Sequence, residues 1–230
     1  MKGQAHDQSD VPRIEKLRRL PHSGRVQVIL KDGRSWTLAE ELVLEAGLHA
    51  EDAVDPALLA DLEHRDEPYR ARDAALNLLS YRPRSTAELR RRLLRKGFEP
   101  DTVDRCIDDM RAHGYLDDAA FAEAFVRERL RLRPRGRHQL IAELRARGVD
   151  QDTAADAVER AMEEVNATEE ALALDAARAW AARNQARLAN ASTNPEARAR
   201  ARQSLYGYLG RRGFTPDAVR AALQAIFRDD

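Results

Sequence analysis

Two patterns of apolar and polar positions divide the chain. Val26, Val28 and Leu30 alternate with polar neighbours, Asp32-Gly33 follow, and Arg34, Trp36 and Leu38 lead back. This predicts a β-hairpin whose tight turn places both central residues at positive φ. An isolated hairpin is marginal in water, so it is expected to pack on short helices at 40–46 and 55–63. The polar stretch before it, with Pro12 and Pro21, reads as a flexible lead-in carrying a short helical hint at 14–20. The acidic run Asp61, Glu63, Asp66 and Glu67, ending at Pro68, reads as a boundary. From Tyr69 onward the apolar residues recur every three to five positions, which is helical spacing.

The helical part repeats. A shift of 51 residues places Gly97 on Gly148, and a shift of 116 places it on Gly213. The same shifts superpose Leu89 on Leu140 and Leu205, Leu93 on Leu144 and Leu209, Val103 on Ala154 and Val219, and Ile107 on Val158 and Leu223. Each copy reads as three helices: 69–80, 86–96 and 101–113; then 118–132, 137–147 and 151–165; then 169–189, 196–212 and 217–227. The shared glycine ends the second helix at positive φ, and Asp or Pro-Asp opens the third. The predicted organisation is a lead-in (1–23), a hairpin with short helices (24–67), and three-helix modules at 68–115, 116–166 and 167–230. The fold class is mainly α: tandem three-helix modules in an elongated array, with a small N-terminal β-hairpin segment.

Composition sharpens this picture. Charged residues are 34% and aromatics 5% of the 230 residues, which suits a Leu/Ala/Val core beneath a charged helical surface. Lys+Arg and Asp+Glu each total 39, so any basic surface must arise by segregation of charge. Cys106 is the single cysteine, which excludes an intrachain disulfide. No stretch approaches the roughly 20 apolar residues of a membrane span, and residues 1–10 lack a signal-peptide core. The expected location is therefore the cytoplasm, with no membrane partner.

The repeat also returns charge. Arg82 and Arg84 superpose on Arg133 and Arg135 and on Arg198 and Arg200; Lys96 superposes on Arg147 and Arg212. An Arg-x-Arg thus precedes each second helix, and a basic residue occupies its last turn. Residues 127–147 add Arg127, Arg129, Arg131 and Arg137 with only Glu128 and Glu143 as acids. Such a stripe suits phosphate or an acidic partner. Solvated helix faces account for it equally well, and the helix dipole alone favours the last-turn cations. No phosphate loop or Gly-x-Gly-x-x-Gly occurs, the six histidines lack metal-site spacing, and Cys106 superposes on Ala157 and Ala222, as a small buried residue would. Asp117-Asp118 reads as a helix cap. No catalytic, cofactor-binding or metal-ligating residue is assigned.

Several of these segments resemble the bacterial RecX family, regulators of the RecA recombinase. The resemblance rests on Arg82-Pro83-Arg84-Ser85-Thr86-Ala87-Glu88-Leu89, on Lys96-Gly97-Phe98, and on Gly114-Tyr115-Leu116-Asp117-Asp118-Ala119-Ala120-Phe121-Ala122. It continues in Gly136 and in Ile141-Ala142-Glu143-Leu144-Arg145-Ala146-Arg147-Gly148-Val149. It implies a non-enzymatic modulator that needs no cofactor, binds RecA and the RecA–DNA filament by touching neighbouring RecA protomers and the DNA region, and inhibits strand exchange and the associated ATP hydrolysis. Direct binding to DNA is a further option, and the chain is expected to be a monomer. The candidate filament or DNA contacts are Arg82, Arg84, Arg91, Arg95, Arg129, Arg131, Arg133, Arg135 and Arg137. A stand-alone DNA-binding helical protein and a helical-repeat adaptor for another protein are the alternatives.

Overall fold

A computed structural model describes residues 11–132 and 134–228. Three strands, β1 (Ile14–Leu20), β2 (Arg25–Leu30) and β3 (Ser35–Ala39), precede α1 (Glu40–Glu45) and α2 (Pro56–Tyr81). Then come α3 (Thr86–Arg95), α4 (Pro100–Ala112), α5 (Asp118–Leu132), α6 (Arg137–Ala146) and α7 (Gln151–Glu164). The described chain finishes with α8 (Glu169–Arg183), α9 (Gln185–Thr193), α10 (Pro195–Gly210) and α11 (Pro216–Ile226). The architecture is mainly helical with one small antiparallel sheet, as the periodicity predicts. It divides into two compact units: the chain up to Ser80 with Leu93–Asp108, and Tyr81–Arg92 with the chain from Asp109 onward.

In the first unit β2 is the central strand of the order β1-β2-β3. Val26, Val28 and Leu30 turn one face onto Ile14, Leu38, Leu42, Val43, Leu59 and Leu62, with Trp36 and Tyr69 packed at the margin. The expected flexible lead-in is corrected over Ile14–Leu20, which pairs with β2; residues 1–10 lie outside the described residues. A register shift between Ile14 and Lys16 breaks the alternation, so the apolar spacing mimics a helix. The hairpin turn also differs. Leu30 N donates to Arg34 O (2.9 Å) and Gly33 N to Leu30 O (3.0 Å), and Gly33 but not Asp32 has positive φ. This is a three-residue loop, not a two-residue one.

The expected boundary at Pro68 is replaced by continuous helix, because α2 runs through that proline and absorbs the short helix expected at 55–63. Pro68 is exposed, where water can take the hydrogen bond that its ring removes. Its acidic neighbours are structural. Asp66, 2% exposed, receives both guanidinium nitrogens of Arg25 (2.9 and 3.1 Å) and the Ala39 N–H (2.7 Å). Burial raises the Asp66 pKa against the opposing pull of these donors. Glu67 accepts from Glu99 N (2.8 Å) and Thr102 Oγ1 (3.3 Å), capping α4.

In the second unit α5, α6 and α7 enclose a core of Phe121, Phe125, Val126, Leu140, Leu144 and Val158. Around Trp180, Leu205, Leu209, Phe214 and Leu223, α8 to α11 enclose another. The repeat positions behave alike: Leu89, Leu140 and Leu205 are fully buried, and so are Leu93, Leu144 and Leu209. Cys106, Ala157 and Ala222 are all buried. The single helix expected at 169–189 is two. Asn184 Nδ2 donates to Trp180 O (2.8 Å) and ends α8, while Asn184 O accepts from Leu188 N (3.0 Å) to start α9. Asn194 then caps α10 through Glu196 N and Ala197 N, with Pro195 in the first turn. Arg198 and Arg200 lie within α10, as the expected span 196–212 already implies, so the third Arg-x-Arg does not precede its helix as the first two do.

Candidate interaction site: two arginine-lined joints

Successive modules meet through the start of one second helix and the end of the next. Ser85 Oγ accepts from Glu88 N (3.1 Å) and donates to Arg147 O (2.5 Å), and Asp118 accepts from Thr86 N (2.8 Å). The second joint reproduces this geometry one module along. Gly136 N donates to Arg212 O (2.8 Å), His138 N to Gly213 O (3.2 Å), and Arg137 N to Glu169 (3.2 Å). Glu169 also accepts from Thr215 N (3.0 Å), serving the first turns of α6 and α11 together. Close approach requires glycine here. A Cβ on Gly148 would lie 2.2 Å from the Ala87 Cβ, and one on Gly213 would lie 2.3 Å from Gln139 N.

Each joint carries an open depression. The first, about 660 Å³, is lined by Arg82, Glu88, Phe125, Arg129, Arg131 and Arg147 among others. Glu88 sits between two cations: Arg82 Nη1 at 2.9 Å and Arg147 Nε at 3.8 Å. The guanidinium groups of Arg147 and Arg129 lie 4.3 and 4.6 Å from the Phe125 ring centroid, in cation–π range. Glu143 receives Arg129 Nε (3.1 Å) and Arg135. Partial burial lowers the Arg147 pKa, but a guanidinium remains charged at neutral pH. The second depression, about 310 Å³, is lined by Arg135, Gln139, Tyr208, Arg211 and Arg212.

The expected contact residues therefore separate. Arg82, Arg91, Arg95 and Arg131 are exposed; Arg129, Arg135 and Arg137 are half-buried at joint positions; Arg133 lies outside the described residues. Arg84 is corrected from surface contact to interior residue: it is 8% exposed, and burial is the largest cause of its lowered pKa, followed by repulsion from Arg82 and Arg92. Arg147, Arg212 and Phe125 were not among the expected contacts. Their signal was present, since Lys96, Arg147 and Arg212 superpose under the repeat, but a last-turn cation has a sufficient explanation in the helix dipole. Among the described residues no group of three or more His, Cys, Asp or Glu side chains could hold a metal ion, and no helix is long and apolar enough to cross a membrane.

Three-helix modules that cap one another across repeated joints define a helical-repeat protein. Comparison with known proteins makes the class specific. Residues 71–110 match the first three-helix domain of RecX, and residues 117–158 match the second. A regulatory protein RecX from Halorhodospira halophila is 39% identical over 162 residues, covering 69% of this chain and 89% of that relative. The chain belongs to the RecX family. Regulatory protein RecX of Clostridium perfringens (strain 13 / Type A) is 28% identical over 132 residues, 57% of this chain, which spans 61% of that relative's length. A crystal structure of regulatory protein RecX shares the fold with a TM-score of 0.67 at 20% identity, covering 92% of this chain and 98% of that one. RecX from Lactobacillus salivarius gives a TM-score of 0.58 at 21% identity, covering 70% and 97%.

Proposed function

We propose that this protein is a cytoplasmic regulator that binds the RecA nucleoprotein filament and restrains it, lowering strand exchange and the associated ATP hydrolysis. Membership of the RecX family is the observation that carries the reading. The joints supply a physical basis: the joint between α3 and α6 and that between α6 and α10 place equivalent residues in contact, and repeated modules suit a partner that is itself repetitive. The exposed Arg82, Arg91, Arg95 and Arg131 are the contacts assigned to filament or DNA, and their contribution should weaken with salt. Co-sedimentation with RecA filaments on single-stranded DNA, with free RecA and bare DNA as controls, tests the reading. The protein should pellet with the filament more strongly than with either control. Equal binding to bare DNA would make it a DNA-binding protein, and binding to none would make it an adaptor for another partner.

A further inference from the structure

The two joints differ at one informative position. Glu88 and Gln139 are equivalent under the 51-residue shift. In the first joint the Glu88 carboxylate already lies between the loop cation Arg82 and the helix-end cation Arg147. In the second joint the equivalent residue is a neutral amide, turned away to donate to Glu143 (Nε2 to Oε1, 3.1 Å). Arg212 contacts Pro134 O (3.3 Å) and the Tyr208 ring (4.6 Å), and neither it nor Arg211 meets a carboxylate among the described residues. Arg211 is exposed and lies back along α10, where the missing side chain of Gly207 leaves room: a Cβ there would be 3.2 Å from Arg211 Nη1.

We propose that the second depression is an acceptor site for an Asp or Glu side chain from an acidic segment of a partner protein. The internal template is on the same molecule: in the first joint the Glu88 carboxylate lies 3.8 Å from Arg147, the equivalent of Arg212, and 2.9 Å from Arg82, while in the second joint Arg211, in the place of Ala146, supplies the further cation. A guanidinium pair beside an aromatic ring offers that group charge-assisted hydrogen bonds over a partly apolar wall. A carboxylate is favoured over a phosphodiester because the depression is small and local, whereas a nucleic-acid backbone calls for a continuous cationic track. The site is defined by the chemistry of its occupant, and so it stands apart from the filament reading.

Fluorescence anisotropy of the full chain with a fluorescein-labelled oligoglutamate peptide tests the site, with a labelled DNA duplex as the parallel probe. The parent should bind the peptide. Arg211→Gln should weaken it by about tenfold, the equivalent of one charge-assisted hydrogen bond. Gln139→Glu should weaken it comparably, because the new carboxylate occupies the site as Glu88 occupies the first. Thermal melts monitor folding; Arg211 is exposed, so its variant remains informative should Gln139→Glu disturb the joint. Failure of the parent to bind the peptide overturns the proposal, as does unchanged peptide binding by a folded Arg211→Gln. A loss confined to DNA would assign the depression to phosphate instead. Filament co-sedimentation by Arg211→Gln separates the two readings, since filament binding can persist when the peptide site is lost.

Discussion

At the scale of the residue, equivalent sequence positions do unequal work. Gly97, Gly148 and Gly213 share positive φ (88°, 85° and 76°), yet an added Cβ meets nothing within 4 Å at Gly97 and meets Ala87 at 2.2 Å at Gly148. Gly97→Ala should therefore cost about 1–2 kcal/mol of backbone strain alone. Gly148→Ala adds an overlap and should cost about 2–5 kcal/mol. Thermal melts of the two variants should rank in that order, and equal melts would contradict the close joint. The repeat made all three glycines legible, but it could not show which of them another module approaches. Arg84 was misjudged for a related reason: Arg-Pro-Arg looks like a loop offered to solvent, and only tertiary packing reveals that its second arginine is covered.

At the scale of the element, the helices were legible and their partners were not. Glu67, Asp118 and Glu169 recur every 51 residues, and each accepts from a backbone N–H 32 positions away. Asp118 and Glu169 open α5 and α8, where the helix dipole alone explains an acid, and Glu67 lies within α2, so in sequence their service to another helix stays hidden. Glu169→Ala removes the acceptor of both Arg137 N and Thr215 N, whereas Asp118→Ala removes only that of Thr86 N. The Glu169 variant should lose roughly 1–3 kcal/mol per orphaned donor and melt below the Asp118 variant. Asp150, the cap of α7, gives a pH signature. Its hydrogen bonds from Thr153 hold its pKa below the ordinary 3.8. A depressed carboxylate stabilises the fold above the unfolded value and loses that contribution as pH falls through the folded one. Asp150→Ala should melt below the parent at neutral pH, and the gap should narrow below pH 3.8. A gap that is constant with pH would show that the charge is irrelevant to the cap. Where the periodicity itself failed, at β1 and at Asn184, a bulge and a side-chain hydrogen bond had interrupted it.

At the scale of the whole molecule, the net charge of zero conceals a segregation that matters for partners. Many cations of the arginine-rich segments pair with Glu88 and Glu143 inside the joints, so fewer arginines face outward than the sequence suggests. A sign reversal across Arg82, Arg84, Arg133 and Arg135 would thus confuse binding with folding, because Arg84 is buried. The exposed set Arg91, Arg95 and Arg131 avoids that difficulty. The most direct measurement is ATP hydrolysis by RecA filaments on single-stranded DNA as this protein is titrated in, comparing the parent with the triple Arg91→Glu, Arg95→Glu, Arg131→Glu variant. The parent should depress hydrolysis, and the variant, with native circular dichroism, should need at least about tenfold more protein for the same effect, as expected when rim charges are reversed. Hydrolysis unchanged by the parent at saturating concentration would contradict the filament-regulator account.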